Sequence, residues 1–187
     1  MLNYSRFIHS LATLQINQVF LNSDEDKMIA VFTEIFNTSS DVVRIFAGNL
    51  CNPSSESSAY IEALSDFIER KGRLRILLNG YDLAKIQKTN LYKRLAYYKA
   101  EGADIEIKST SAKPYIIAKD GEHINIHFAV GDDKSYRLEN DTSNRTAICN
   151  MFDKDTAVEF ANVFDKIFDN QSSERIDLTA IFAFDGK

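Results

Sequence analysis

HINIHFAVGDDKSYRLE, residues 123–139, alternates polar and apolar side chains with period two on both sides of a turn, so it reads as a two-arm β-hairpin. On the first arm His123, Asn125, His127 and Ala129 point one way, while Ile124, Ile126, Phe128 and Val130 point the other. On the second arm Tyr136 and Leu138 oppose Ser135, Arg137 and Glu139. A continuous dry face pairs Ile126 with Leu138 and Phe128 with Tyr136, which sets His127 opposite Arg137 and Asn125 opposite Glu139. Gly131-Asp132-Asp133 is then the loop, a length that suits a bulged turn.

The hairpin lies where the chain changes rhythm. Before it, SDEDKMIAVFTEIF from Ser23 reads as a Ser-capped helix with Met28, Val31, Phe32, Ile35 and Phe36 on one face. The run Val42–Ala47 reads as a buried strand, followed by the polar loop GNLCNPSSESS. Next come a helix over Ser58–Lys71, a strand over Arg73–Asn79, a helix over Leu91–Ala100 and a strand over Asp104–Lys108. Three successive helix-to-strand steps predict a parallel half-sheet with helical crossovers. After Lys108 the strands Tyr115–Lys119, Glu122–Val130, Ser135–Glu139 and Thr146–Met151 are too closely spaced for crossovers and predict an antiparallel meander. A helix over Asp153–Asp169 follows, and RIDLTAIFAF from Arg175 reads as one more strand. The expected fold is α/β, a mixed sheet with a parallel N-terminal half and an antiparallel C-terminal half, flanked by helices in one domain over residues 1–187.

The predicted hairpin gathers His127, Arg137, Glu139 and Asn125 on one surface. A neutral imidazole can attack a phosphoryl centre, a guanidinium can hold two phosphate oxygens and a carboxylate can orient the imidazole. Those are the parts of phosphodiester chemistry, although Arg137 and Glu139 pairing beside a histidine is also ordinary surface structure. Asn49, in the polar loop, and Asn79, where the second parallel strand ends, join Asn125 as candidate substrate-binding positions.

VRIFAG, GRLRILLNG, LYKRLAYYKAEGADIEIK, IHFAVGD and the closing AVEFANVFDKIF together resemble a phospholipase D-like domain over about residues 19–170. The resemblance implies a histidine nucleophile and a phosphate-holding lysine on one strand in an HxK motif. It also implies two such motifs meeting across a pseudo-twofold axis, with single-motif members forming homodimers. His127 matches the histidine. The lysine position is Ala129, the later Asp position falls on Lys134, and no GSxN-like segment follows, so the motif is degenerate. Arg137 from the neighbouring strand is a candidate replacement for the missing cation, and Glu139 for the missing acid.

Composition narrows the rest. A formal charge of −5 opposes broad attraction to nucleic acid, yet leaves a local basic patch open. Lys85, Lys88, Lys93, Arg94 and Lys99 with Tyr92, Tyr97 and Tyr98 read either as a nucleic-acid surface or as a solvated helix face. Cys51 and Cys149 lack a CxxC spacing, and His123 and His127 fall on a strand, so neither a metal nor another cofactor is expected. Asp24-Glu25-Asp26 suits a helix first turn and Asp132-Asp133 a hairpin turn. With no signal-peptide pattern and no apolar span, a cytoplasmic location is expected. The expectation is thus a phosphodiester-processing domain of nuclease type with a degenerate site, acting as a homodimer or with a partner chain. The alternative is an inactive recognition module of a nucleic-acid-handling or defence assembly.

Overall fold

A computed structural model describes residues 2–141 and 146–182. In chain order the elements are α1 (Leu2–Thr13), β1 (Phe20–Asn22), α2 (Glu25–Thr38), β2 (Val42–Ala47), α3 (Ser58–Glu69), β3 (Arg73–Leu78), α4 (Leu83–Ile86), α5 (Asn90–Ala100) and β4 (Ile105–Ser109). They continue as β5 (Tyr115–Ile117), β6 (His123–Asn125), β7 (His127–Gly131), β8 (Ser135–Asp141), β9 (Thr146–Asn150), α6 (Lys154–Phe168), β10 (Glu174–Arg175) and α7 (Leu178–Ile181). Eight strands form one sheet in the order β1-β9-β8-β7-β2-β3-β4-β10. β2, β3 and β4 run parallel, and β7, β8 and β9 form the antiparallel meander. The change of character falls where the chain stops spending helices on its crossovers, as the sequence rhythm implies.

Both faces of the sheet are covered. Ile45, Leu74, Ile76 and Ile107 pack under α1, α2, α3 and α5, whereas Phe46, Leu77, Phe128, Val130, Tyr136 and Leu138 pack under α6 through Ala157, Ala161 and Phe164. α2 begins one residue later than its expected Ser cap: Asp24 accepts the Lys27 N–H at 2.8 Å, and the Ser23 hydroxyl accepts from Lys27 Nζ instead. α3 ends where Lys71 turns to φ 70° and the Gly72 N–H reaches the Phe67 carbonyl at 3.0 Å. A Cβ on Gly72 would run into the Phe67 ring, so the close approach requires glycine.

Three expectations change. The tail is not a single strand, because only Glu174–Arg175 pairs with β4 before Asp177 caps α7, while residues 183 and 184 lie outside the described ones. The expected long strand over Glu122–Val130 is broken at Ile126, whose N–H donates to the Pro114 carbonyl; β6 therefore pairs with β5 in a separate two-stranded arm. Most consequential is the hairpin register, which is displaced by two residues: His127 faces Glu139, Phe128 faces Leu138, Ala129 faces Arg137 and Val130 faces Tyr136. Gly131 pairs with Ser135, so the loop is Asp132–Lys134 rather than Gly131–Asp133.

The turn itself explains the displacement. Asp132 and Asp133 adopt φ 48° and 52°, a left-handed tip that aspartate tolerates. There the Asp132 carboxylate accepts the backbone N–H groups of Ser40, Asp41 and Val42 at 2.7, 2.9 and 3.0 Å, fastening the hairpin to the start of β2. Burial opposes ionisation, but these donors outweigh it and hold the Asp132 carboxyl below its ordinary range. A lowered folded value means the contribution is full above the ordinary carboxylate pKa and is lost as pH falls through the lowered one. Asp132→Asn should therefore lower unfolding free energy by about 1–3 kcal/mol at neutral pH. In urea titrations that difference should shrink as pH falls below the ordinary carboxylate range.

Candidate functional site

The C-terminal ends of β2 and β3, the start of β7 and the far end of β8 converge on one edge of the sheet. There β2, β7 and β8 wall a pocket of about 310 Å³ with α2 and the loop after β2. Its polar lining is Asn49, Asn52, His127, Arg137 and Glu139; its apolar lining includes Met28, Phe32, Phe46 and Phe128. The loop is held by its own bonds: Asn49 Oδ1 accepts the Cys51 N–H at 2.9 Å, Asn52 Oδ1 accepts the Ser55 N–H at 3.1 Å, and the Tyr92 hydroxyl donates to the Asn49 carbonyl at 2.7 Å.

His127, half-buried, sits with Nε2 3.3 Å from Asn79 Oδ1, and that geometry suits an Nε2–H donor. Burial pushes the imidazole below its ordinary pKa, with Glu139 opposing the shift and Arg137 adding to it, so the ring is neutral at pH 7. Arg137 is 2% exposed. It donates from Nε to Asn22 Oδ1 at 2.8 Å and from Nη1 to Glu139 Oε2 at 2.6 Å, with the Phe32 ring 5.6 Å from its guanidinium carbon. Its burial follows from the second layer of helices: the expected wet face of β7 and β8 is packed under α2, not open to water. In NMR titration the His127 ring should ionise below the ordinary histidine range. Glu139→Gln should move it lower still by removing the favourable charge.

The structure thus brings together His127, Arg137, Glu139, Asn49 and Asn79, although the register puts Glu139, not Arg137, directly across from His127. Asn125 is separated from them. It is exposed, faces Tyr115 in the β5–β6 arm and has no place opposite Glu139, because the strand break at Ile126 ends that register. His123 stacks on Tyr115 with ring centroids 4.1 Å apart. Lys134, which the resemblance implies would sit at the later motif position, lies at the opposite end of β7, where its ammonium donates to the Thr38 carbonyl. Asn22 and Asn52 escape the sequence reading: Asn22 is the last residue of a three-residue edge strand with no alternation to mark it. Among the described residues no cluster of three His, Cys, Asp or Glu side chains is placed to hold a metal ion.

A mixed sheet of this order, layered by helices on both faces, is a phospholipase D-like fold. Solved structures that share it include the following three. TrmBL2, an archaeal chromatin protein whose structure shows a novel mode of DNA binding, matches at TM-score 0.61 and 11% identity over 93% of this chain and 61% of its own. The phospholipase D family member Nuc from Salmonella typhimurium matches at 0.56 and 13% over 85% and 97%. NucT from Helicobacter pylori matches at 0.53 and 14% over 86% and 98%. No family model matches the chain, and no curated protein matches it in sequence. At these identities the likeness is one of fold.

Proposed function

We propose that this chain is a phospholipase D-like recognition domain that uses its site pocket to hold a ligand without cleaving a phosphodiester. The observation that carries the reading is the state of Arg137. It is the one Lys or Arg among the described lining residues, and its charge is already met inside the protein by Glu139 and its Nε by Asn22. A phosphodiester entering the pocket would bring a second anion beside Glu139, and charge developing in the transition state would find no uncommitted cation to stabilise it. The motif's lysine position is Ala129, fully buried. The lining of carboxylate, amides, neutral imidazole and aromatic rings instead suits an uncharged small molecule carrying hydroxyl or amide groups.

A phosphodiester-processing reading has one observation in its favour: the register sets Arg137 directly across from Ala129, so a guanidinium stands near the position of the missing lysine. That reading takes His127 as nucleophile, Arg137 as phosphate clamp and Glu139 as orienting acid, in a homodimer or with a partner chain that completes the site. Either reading treats the chain as one domain working in the cytoplasm, where Cys51 and Cys149 stay reduced. No helix among the described residues is long and apolar enough to cross a membrane.

Turnover separates the two. Wild type and His127→Ala are incubated with bis(p-nitrophenyl) phosphate and with a labelled oligonucleotide. Recognition predicts no release or cleavage above buffer in either protein, whereas cleavage abolished by His127→Ala would establish the enzyme.

A further inference from the structure

The pocket is poor in unpaired positive charge, but the segment that leads away from it is not. Residues 81–100 carry Lys85, Lys88, Lys93, Arg94 and Lys99 against Asp82 alone, in a chain whose formal charge is −5. Lys85 pairs with Asp82 at 3.5 Å; Lys88, Lys93, Arg94 and Lys99 have no carboxylate within ion-pair distance among the described residues. Elsewhere Arg44, Arg73, Arg75 and Arg137 are each paired. Leu91, Tyr92, Leu95 and Ala96 are buried, so α5 turns its apolar face inward and leaves Lys93, Arg94 and Tyr97 exposed.

Against the start of α3 this exposed face forms an open groove of about 540 Å³, walled by Lys93, Arg94, Tyr97, Asn90, Ser58 and Glu62. Glu56 also borders it, but its carboxylate accepts the Asn90 and Leu91 N–H groups at 2.8 and 2.9 Å and so serves the helix N-terminus. Tyr97 is 48% exposed, offering a ring beside two cations. The segment is continuous with the pocket rim: it leaves β3 through Asn79, the partner of His127, and α5 returns the Tyr92 hydroxyl to Asn49.

We propose that α4, α5 and the groove against α3 form a binding surface for single-stranded nucleic acid. Lys88, Lys93 and Arg94 meet the phosphate backbone and Tyr97 stacks on a base. Unpaired cations on one face supply the sequence-independent attraction, and an aromatic ring among them is what unpaired bases need. The surface lies outside the site pocket and stands whether or not the pocket turns over substrate.

Fluorescence anisotropy with a labelled oligothymidylate of about 20 nucleotides tests this. Wild type should bind with an affinity that falls between about 50 and 200 mM salt. Lys93→Glu with Arg94→Glu should weaken binding at least about tenfold and flatten the log–log salt slope by about 1.4, the share of two phosphates. Tyr97→Ala should weaken binding with the slope unchanged, and Glu62→Gln should tighten it. Lys154→Glu, the reversal of one cation on α6 across the sheet, should leave binding within about twofold. All variants alter exposed positions, and circular dichroism confirms their folding. Absence of salt-dependent binding by wild type, an equal loss from Lys154→Glu, or equal retention on phosphatidylserine vesicles would overturn the proposal.

Discussion

Arg137→Ala should cost about 3–5 kcal/mol of unfolding free energy, a large fraction of what a domain of this size possesses. The guanidinium is 2% exposed and bridges two elements far apart in sequence, β1 through Asn22 and its own strand through Glu139. Truncation leaves the Glu139 carboxylate beside a half-buried histidine without its cation, and leaves the fully buried Asn22 oxygen without its donor. The cost should therefore come from the stranded partners more than from the lost pair. Arg137→Leu combined with Glu139→Leu removes both charges together and should recover at least about 2 kcal/mol relative to Arg137→Ala. Urea denaturation of the two variants beside wild type measures this directly. If the double variant is as unstable as Arg137→Ala, the pair is not what makes the position costly.

Phe164→Ala should be comparably severe, at about 3–5 kcal/mol, for a different reason. Phe164 is fully buried on α6, set edge-on to Phe128 with ring centroids 6.5 Å apart and stacked on Phe168 at 5.4 Å. α6 is the helix that packs on Phe128, Val130 and Leu138 of the central hairpin, so the lost ring opens a cavity behind the strand that carries His127. Phe164→Leu fills most of that space and should cost well under half as much. Thermal or urea unfolding of both variants checks the difference. Equal losses would mean the site is already loosely packed.

Much of this architecture is legible locally. The parallel β2, β3 and β4 follow from helix and strand periods separated by Gly72, Gly80 and Gly102, and α6 follows from the spacing of Ala157, Ala161, Phe164 and Phe168. The hairpin faces are legible too, since Ile126, Phe128, Val130, Tyr136 and Leu138 do form the core under α6. Its register is not, because a shift of two residues keeps every side chain on its own face and leaves the apolar alternation equally satisfied. What decides between the two pairings is Asp132 fastening to Ser40, Asp41 and Val42, about ninety residues away. The burial of Arg137 is hidden for the same reason. It depends on Asn22 in a three-residue edge strand, and on α2 covering a face whose polar alternation reads as solvated. His127, Asn79 and Asn49 are each visible as single polar residues at strand ends, but the meeting of His127 and Asn49 in one pocket, with Asn79 bonded to His127, is a property of the assembled sheet.

Whether the site holds without cleaving is read at the nitrogen of one side chain. If His127 attacked a phosphodiester, a P–N bond would form as the P–O bond to the leaving group broke, and the protein would carry a phosphoryl adduct until water removed it. Intact-mass spectrometry of wild type incubated with bis(p-nitrophenyl) phosphate, quenched without acid and with His127→Ala alongside, reads that adduct. A site that only holds its ligand leaves both proteins at the unmodified mass. A p-nitrophenyl phosphoryl adduct present in wild type, mapped to His127 and absent from His127→Ala, would show that the site cleaves.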